Sequence, residues 1–279
     1  MIMPMTNTDA GKFSLASRTV LVSGGTGVLG LAMAEALGLA GARVAVAGLA
    51  GYAEAQSYLA GKGIKALGLP MNAFKKGEIE EAHRRTAAEF GPVDVLVNAA
   101  GGNMKEATTS PDLKFFDIPL EALEKVVGLN LFAGAVLPSQ VVGKAMAESG
   151  RPASIINISS MNAFRPLTRI AGYSAAKASV NNFTQWLAVH LAREYGGKIR
   201  VNAIAPGFFL TEQNRFLLTE KDGSLTARGK TVLEHTPMGR FGEPGDLAGT
   251  VVWLASDASA FVTGTVIPVD GGFSAFSGV

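Results

Sequence analysis

Residues 19–23 (TVLVS) run without interruption into GGTGVLG and then into LAMAEALGLA. A strand, a glycine turn and a helix in that order leave few folds open, because the turn brings the helix back onto its own strand. Gly25, Gly27 and Gly30 spell G-x-G-x-x-G, the pattern that lets a dinucleotide pyrophosphate approach backbone N–H groups at a helix N-terminus. By itself the same pattern serves equally as a turn for tight helix packing.

The alternation then repeats along the chain. Further strands are expected at 43–47, 65–69, 93–98, 154–158, 199–205 and 265–269, separated by helices at about 53–62, 77–90, 120–148, 173–195 and 244–256. Parallel strands joined by right-handed helical crossovers satisfy this order, so the expected fold is α/β: a single Rossmann-like, doubly wound parallel sheet with helices on both faces. Residues 1–17 read as a loose leader and 18–279 as one dinucleotide-binding and catalytic domain, with no repeat, low-complexity tract or linker. The stretch 208–243 is too long for an ordinary connection and reads as an irregular substrate lid.

Composition narrows the function classes. A net charge of +2 is too weak to argue for nucleic acid or an anionic membrane. No uninterrupted apolar run of about 18 residues is seen, so no membrane partner is expected. The absence of cysteine excludes disulfides and thiolate metal sites and suits the cytoplasm, and 3 scattered histidines offer no ligand spacing, so no metal is expected.

Chemistry concentrates in residues 159–177, SSMNAFRPLTRIAGYSAAK. Tyr173 and Lys177 leave one helix face a turn apart, and an ammonium there favours the phenolate and pulls the tyrosine pKa down toward neutrality. A chance pairing on a solvated face is the alternative. At the end of the fourth strand, NAAGGN leaves bare backbone from Ala99 to Gly102 for a flat ring or ribose. Asn130, inside the apolar VVGLNLFAGAV, needs a hydrogen-bond partner and fits either a helix kink beside Gly128 or catalysis. At the end of the second strand, Gly48, Leu49 and Ala50 stand where a carboxylate selecting NAD or an arginine selecting NADP is usual, so the charge rule gives no answer.

The glycine loop, NAAG, a helical Asn, SS, YSAAK and PG, in this order across residues 19–272, resemble the short-chain dehydrogenase/reductase family, as does the spacing of 13 residues from Ser160 to Tyr173. That resemblance implies a hydride transfer in which Tyr173 is the acid/base and Ser160 hydrogen-bonds the substrate oxygen. Lys177 lowers the tyrosine pKa and holds the nicotinamide ribose, and Asn130 supports a proton-relaying water. It also implies a cofactor, NAD or NADP with NAD favoured. The implied contacts are Gly24, Gly25, Thr26, Gly27, Val28 and Leu29 on the first loop, then Gly48 and Asn72 at the adenosine. Asn98, Ala99, Gly101, Tyr173, Lys177, Pro206, Gly207 and Thr211 complete the set, with Thr211 at the carboxamide. The family's first loop is usually TGxxxGxG; here Ser23 replaces the Thr and Val28 the middle glycine, and Asn72 stands where relatives carry Asp.

The runs AAGGN, SSMNAFRPLTR, NNFTQWLAVHLA, NAIAPGFFLTEQNR, HTPMGRFGEP and PVDGGFSAFSGV resemble the D-mannonate oxidoreductase (fructuronate reductase) branch of the family. This implies a keto sugar acid, D-fructuronate, reduced reversibly to D-mannonate. Another carbonyl (a gluconate, a polyol or a 3-oxoacyl thioester) is the alternative, and a non-catalytic dinucleotide sensor a remoter one. Arg165 or Arg169 is the expected carboxylate holder, with Asn103, Asn162 and Gln213, and more widely Asn214, His235 and Arg240, reading hydroxyls. The family also implies a homo-oligomer, a tetramer built on the helices carrying Asn130 and Tyr173; Phe183, Trp186 and Leu187 serve either that interface or the core.

Overall fold

The computed structural model describes residues 10–211 and 215–278. Seven strands, β1 (Thr19–Ser23), β2 (Arg43–Gly48), β3 (Ala66–Pro70), β4 (Val95–Asn98), β5 (Ala153–Ile158), β6 (Ile199–Pro206) and β7 (Val266–Val269), form one sheet in the order β3-β2-β1-β4-β5-β6-β7. Every pairing is parallel. β1, β4 and β5 are buried along their whole length, which is why they read as continuous apolar runs instead of alternating ones.

Period-two geometry still divides these side chains between two layers. Val20, Val22, Val44 and Val46 face one core with Leu37 of α1 (Val28–Leu39) and Leu254 of α9 (Ala248–Ala255). Leu21, Ala45, Leu96 and Ile155 face the other with Val142 of α5 (Leu137–Ser149) and Leu187 of α6 (Ala171–Glu194). Two further crossover helices, α2 (Tyr52–Gly61) and α3 (Lys76–Phe90), join β2 to β3 and β3 to β4. The chain leaves β1 toward β2 and β3 on one side and resumes from β4 on the other. The crevice beyond the carboxyl ends of β1 and β4 is therefore the switch point at which such sheets bind ligands.

Three expectations need correction. The leader does not remain loose to residue 17: Ala10–Phe13 form a 3-10 turn, and Leu15 is fully buried with its N–H donating to the Ala40 carbonyl at 2.9 Å. A leucine that covers the end of the core is worth ordering. Residues 1–9 lie outside the described residues.

The 208–243 stretch is not irregular throughout. It holds α7 (Arg215–Leu218) and α8 (Ala227–Glu234), the latter capped by Thr226, whose Oγ1 accepts from the Gly229 N–H at 3.0 Å. Bridges join Phe209 to Gly242 and Thr219 to Leu225.

The long helical region is composite: α4 (Leu120–Val127), a π-helical segment Gly128–Val136, and α5. Together, Leu120–Ser149 is long and apolar enough by composition to cross a membrane, which the search for an uninterrupted apolar run missed. However, 56% of its most apolar window is buried inside the protein, so much of its apolarity serves the core.

Candidate active site

Ser160 leaves the end of β5 in extended backbone, and its Oγ accepts from the Asn162 N–H at 3.3 Å. Tyr173 and Lys177 stand on the first turns of α6, which packs along β6 and the Met161–Ala163 turn. The Ser160 hydroxyl lies near enough to the Tyr173 phenol to favour its ionised form. Lys177 is 4% exposed and donates from Nζ to the Ile158 carbonyl at 2.7 Å, with Nζ 5.7 Å from the Tyr173 ring centre. A phenol, a hydroxyl and an ammonium thus meet at one strand end.

Their electrostatics differ from the sequence expectation. Burial raises the Tyr173 pKa, and the neighbouring Ser160 hydroxyl offsets part of that rise. Burial also lowers Lys177 to about 8. Desolvation therefore outweighs the expected pull of the ammonium on the phenol, because Lys177 is buried beside it and turns its charge to a carbonyl. Both neutral forms are favoured, and burial drives the two values apart, so a proton passes downhill from the Lys177 ammonium to a Tyr173 phenolate more strongly than between a free lysine and a free tyrosine.

Asn130 is fully buried in the π-helical segment. Its Nδ2 donates to the Gly102 carbonyl at 2.7 Å and the Val126 carbonyl at 2.8 Å, while Oδ1 accepts from the Gly102 N–H at 3.1 Å. Both amide hydrogens are spent, so the side chain clamps the NAAGG loop to the helix. The kink reading and the site reading are the same interaction. The helix also presses on that loop: a Cβ on Gly134 would meet the Ala100 carbonyl oxygen at 2.6 Å.

The glycine loop and the β4 loop form a narrow channel. Gly24 has φ +70°, and a Cβ there would lie 2.5 Å from the Ala100 nitrogen; the Ala99 N–H donates to the Ser23 carbonyl at 2.8 Å. Gly25 backs onto Val46, and Leu29 packs on the core. Gly27 begins α1 with no side-chain cap, leaving the first N–H groups of that helix for an anion, while Val28 points outward, 39% exposed. Gly101 is bare backbone where a Cβ would lie 2.8 Å from Asn130 Oδ1 and 3.2 Å from Lys177 Nζ. Pro206 ends β6, and Gly207 is pressed on Asp270, 2.6 Å from its Cα to an added Cβ. Thr211 follows, its carbonyl accepting from the Arg215 N–H at 2.9 Å. An uncapped helix start, a glycine channel and a buried ammonium at its far end fit a nicotinamide dinucleotide.

Two expected cofactor contacts are otherwise engaged. Asn98 is fully buried and donates to Ser139 Oγ at 3.1 Å and to Asn157 Oδ1 at 2.9 Å; Asn157 in turn donates to Thr184 Oγ1 at 2.9 Å. Its side chain ties β4 and β5 to the helices beneath the channel. Asn72 Oδ1 accepts from the Phe74 N–H at 3.0 Å and shapes the turn after β3.

The substrate candidates differ in exposure and in how many of their polar groups are in use. Arg165 and Arg169 are exposed, and each donates through Nε to a carbonyl of another loop at 2.8 Å, Ser274 and Thr109 respectively. Their terminal nitrogens make no hydrogen bond among the described residues. Asn103 donates to Thr108 Oγ1 at 2.7 Å. Asn162 is 5% exposed, and its Oδ1 has no partner. Arg240 forms a two-point pair with Asp246 at 2.6 and 2.9 Å, and His235 Nδ1 lies 2.8 Å from the Thr231 carbonyl. Gln213 and Asn214 lie outside the described residues.

The sequence reading missed two supports. Asn181, one turn beyond Lys177, accepts from Ser159 Oγ and fastens α6 to β5; its i+4 spacing from the lysine was the available signal. Asp270 accepts from the Gly272 and Ser274 N–H groups, each at 2.9 Å, and shapes the turn that Arg165 holds. An Asp-Gly-Gly turn signal pointed to it. Among the described residues no cluster of His, Cys, Asp or Glu could hold a metal.

Comparison with known proteins places this arrangement. The family model described as Enoyl-(Acyl carrier protein) reductase matches residues 26–274. An uncharacterized oxidoreductase, UxuB, of Bacillus subtilis is 45% identical, over 95% of this chain and 98% of its own. A crystal structure of a provisionally assigned D-mannonate oxidoreductase from Haemophilus influenza with bound NAD superposes with a TM-score of 0.88 at 41% identity, covering 98% of this chain and 100% of that one. A gluconate 5-dehydrogenase from Burkholderia cenocepacia in complex with NADP and tartrate superposes at 0.82 with 29% identity, covering 95% and 98%. With the parallel sheet, the glycine channel and the Ser160, Tyr173 and Lys177 cluster all in family order, the chain belongs to the short-chain dehydrogenase/reductase family.

Proposed function

We propose that this protein is an NAD- or NADP-dependent reductase of a keto sugar acid, converting D-fructuronate reversibly to D-mannonate. The observation that carries the reading is the meeting of the Tyr173 phenol, the Ser160 hydroxyl and the buried Lys177 ammonium beside the bare backbone of Gly101. The likeness to proteins named for mannonate and gluconate supports the substrate class.

Bound nicotinamide supplies the hydride. The chain supplies the rest. Ser160 and Tyr173 direct hydroxyl hydrogens at the carbonyl oxygen, where negative charge grows as the carbon is reduced, and so stabilise the transition state more than the ground state. Tyr173 gives that oxygen its proton, and Lys177 restores it to the phenol. Asn130 keeps the loop under Gly101 and Gly102 in place. Arg165 and Arg169, each held at Nε, turn their remaining nitrogens to the substrate carboxylate, and Asn162 accepts from a substrate hydroxyl.

A substrate panel tests the class. D-fructuronate is expected to be preferred over 5-ketogluconate, neutral ketoses and oxoacyl thioesters; strong preference for 5-ketogluconate is the second reading, which the Burkholderia relative favours.

The protein acts in the cytoplasm as a homotetramer, which rests on its lack of cysteine and on one surface. Phe132 and Trp186 are 51% and 57% exposed on the π-helical segment and α6, and the Phe183, Trp186 and His190 rings stack along that face. Two such faces would cover one another. Trp186→Glu should lower the mass measured by light scattering; an unchanged mass would remove this face from the interface.

A further inference from the structure

The end of β2 carries Gly48, Leu49 and Ala50 where a dinucleotide fold usually places a carboxylate for the adenosine ribose or a cation for a 2′-phosphate. The structure shows what fills that space. A Cβ built on Gly48 would lie 2.3 Å from Thr26 Oγ1 and 2.9 Å from its Cγ2. Residue 26, in the glycine loop, therefore stands where a side chain of residue 48 would leave the strand. Thr26 is partly exposed, and its hydroxyl makes no hydrogen bond to any described residue.

Two of the residues at these strand ends are uncharged. Leu49 is 76% exposed and apolar. Asn72, at the end of the neighbouring strand, brings no charge. Beyond Asn72, Glu78 and Lys75 pair with each other at 3.0 Å, and Glu78 also accepts from the Asn72 N–H at 2.7 Å.

We propose that Thr26, and not residue 48, meets the adenosine ribose, and that the resulting uncharged pocket takes this ribose with or without a 2′-phosphate. The chemistry follows from the hydroxyl. A carboxylate only accepts hydrogen bonds and repels a phosphate dianion, whereas a guanidinium only donates and favours one. A threonine hydroxyl donates or accepts, so it serves a ribose hydroxyl and a phosphate oxygen alike. The inference rests on the glycine loop as a dinucleotide site and is independent of the sugar-acid substrate.

The test is equilibrium titration of NADH and NADPH by fluorescence, with no carbonyl substrate present. In the wild-type protein the two dissociation constants should fall within about thirtyfold of each other, a difference below ~2 kcal/mol. Thr26→Val should weaken both cofactors by about three- to tenfold, the loss of one hydrogen bond, while Thr26→Ser stays within about twofold. Gly48→Asp should weaken both, because the new side chain begins inside Thr26. The double variant Thr26→Ala with Gly48→Asp should recover NADH binding and reject NADPH.

A wild-type ratio beyond thirtyfold overturns the proposal. So does unchanged binding in Thr26→Val, or a Gly48→Asp protein that binds NADH at full affinity and already rejects NADPH. If neither cofactor binds the wild-type protein, the dinucleotide reading falls with it; binding without turnover of any uronate would count only against the substrate. The wild-type, Val and Ser arms decide the matter even if the Asp variants fail to fold.

Discussion

The floor of the site and its rim are built in different ways. On the floor, Asn130, Ser160 and Lys177 are each under a tenth exposed and lie at the carboxyl ends of neighbouring parallel strands, where Asn130 and Lys177 bond to backbone carbonyls. On the rim, Arg165, Arg169 and Arg240 are exposed and each spends a guanidinium nitrogen on another loop or on Asp246. Buried hydrogen bonds to charged groups are costly to lose, while exposed ties contribute little stability. Under the proposed function, the difference means that the reaction is set by the sheet and the choice of substrate by loops fastened to one another. Changes on the floor should then lower turnover, and changes on the rim should raise KM.

The largest test of that contrast is Tyr173→Phe, which removes the proton donor and should lower kcat by about a thousandfold, within the range for a lost general acid, with the melting temperature unchanged. Lys177→Met should follow closely and change the pH profile. Carbonyl reduction consumes a proton, so wild-type kcat/KM should fall as pH rises through the Lys177 value of about 8, and the variant should lose that limb. Since an unfolded lysine keeps its proton to about 10.5, unfolded chains bind more protons than folded ones between these values. Wild-type stability should therefore rise relative to Lys177→Met from pH 8 toward 10.5, read from denaturant midpoints.

Asn130→Ala should cost less, about ten- to a hundredfold in kcat, together with 1–3 kcal/mol of stability for the Gly102 and Val126 groups left unpaired. Equal loss of stability with normal kcat would reduce it to a structural clamp. The smallest effects belong to Arg165→Gln and Arg169→Gln, each raising KM for the acid by about three- to tenfold at constant kcat, as expected for a lost charge-assisted bond at an exposed position. A fall in kcat with unchanged KM would erase the distinction between floor and rim.

The same contrast explains what could be read in advance. The order of strands, the glycine loop and the pairing of Tyr173 with Lys177 depend on local spacing and on apolar runs, so residues a few positions apart carried them. Asn130 was visible as an asparagine needing a partner, although the partner, Gly102, is distant in sequence. The rim was not legible, because Arg165 meets Ser274 and Arg169 meets Thr109 across long loop separations that no periodicity encodes. The pKa direction of Tyr173 was misjudged for a related reason. Spacing shows that two groups are neighbours, but desolvation depends on everything packed around them.

The central claim is that Tyr173 passes a proton to the carbonyl of a keto sugar acid while hydride arrives from a bound nicotinamide. The most direct measurement is the rate of NADH and NADPH oxidation with D-fructuronate, wild type beside Tyr173→Phe, with cofactor binding titrated on both. The account predicts steady oxidation by the wild type and almost none by a variant that still binds cofactor. Undiminished turnover in that variant would contradict it.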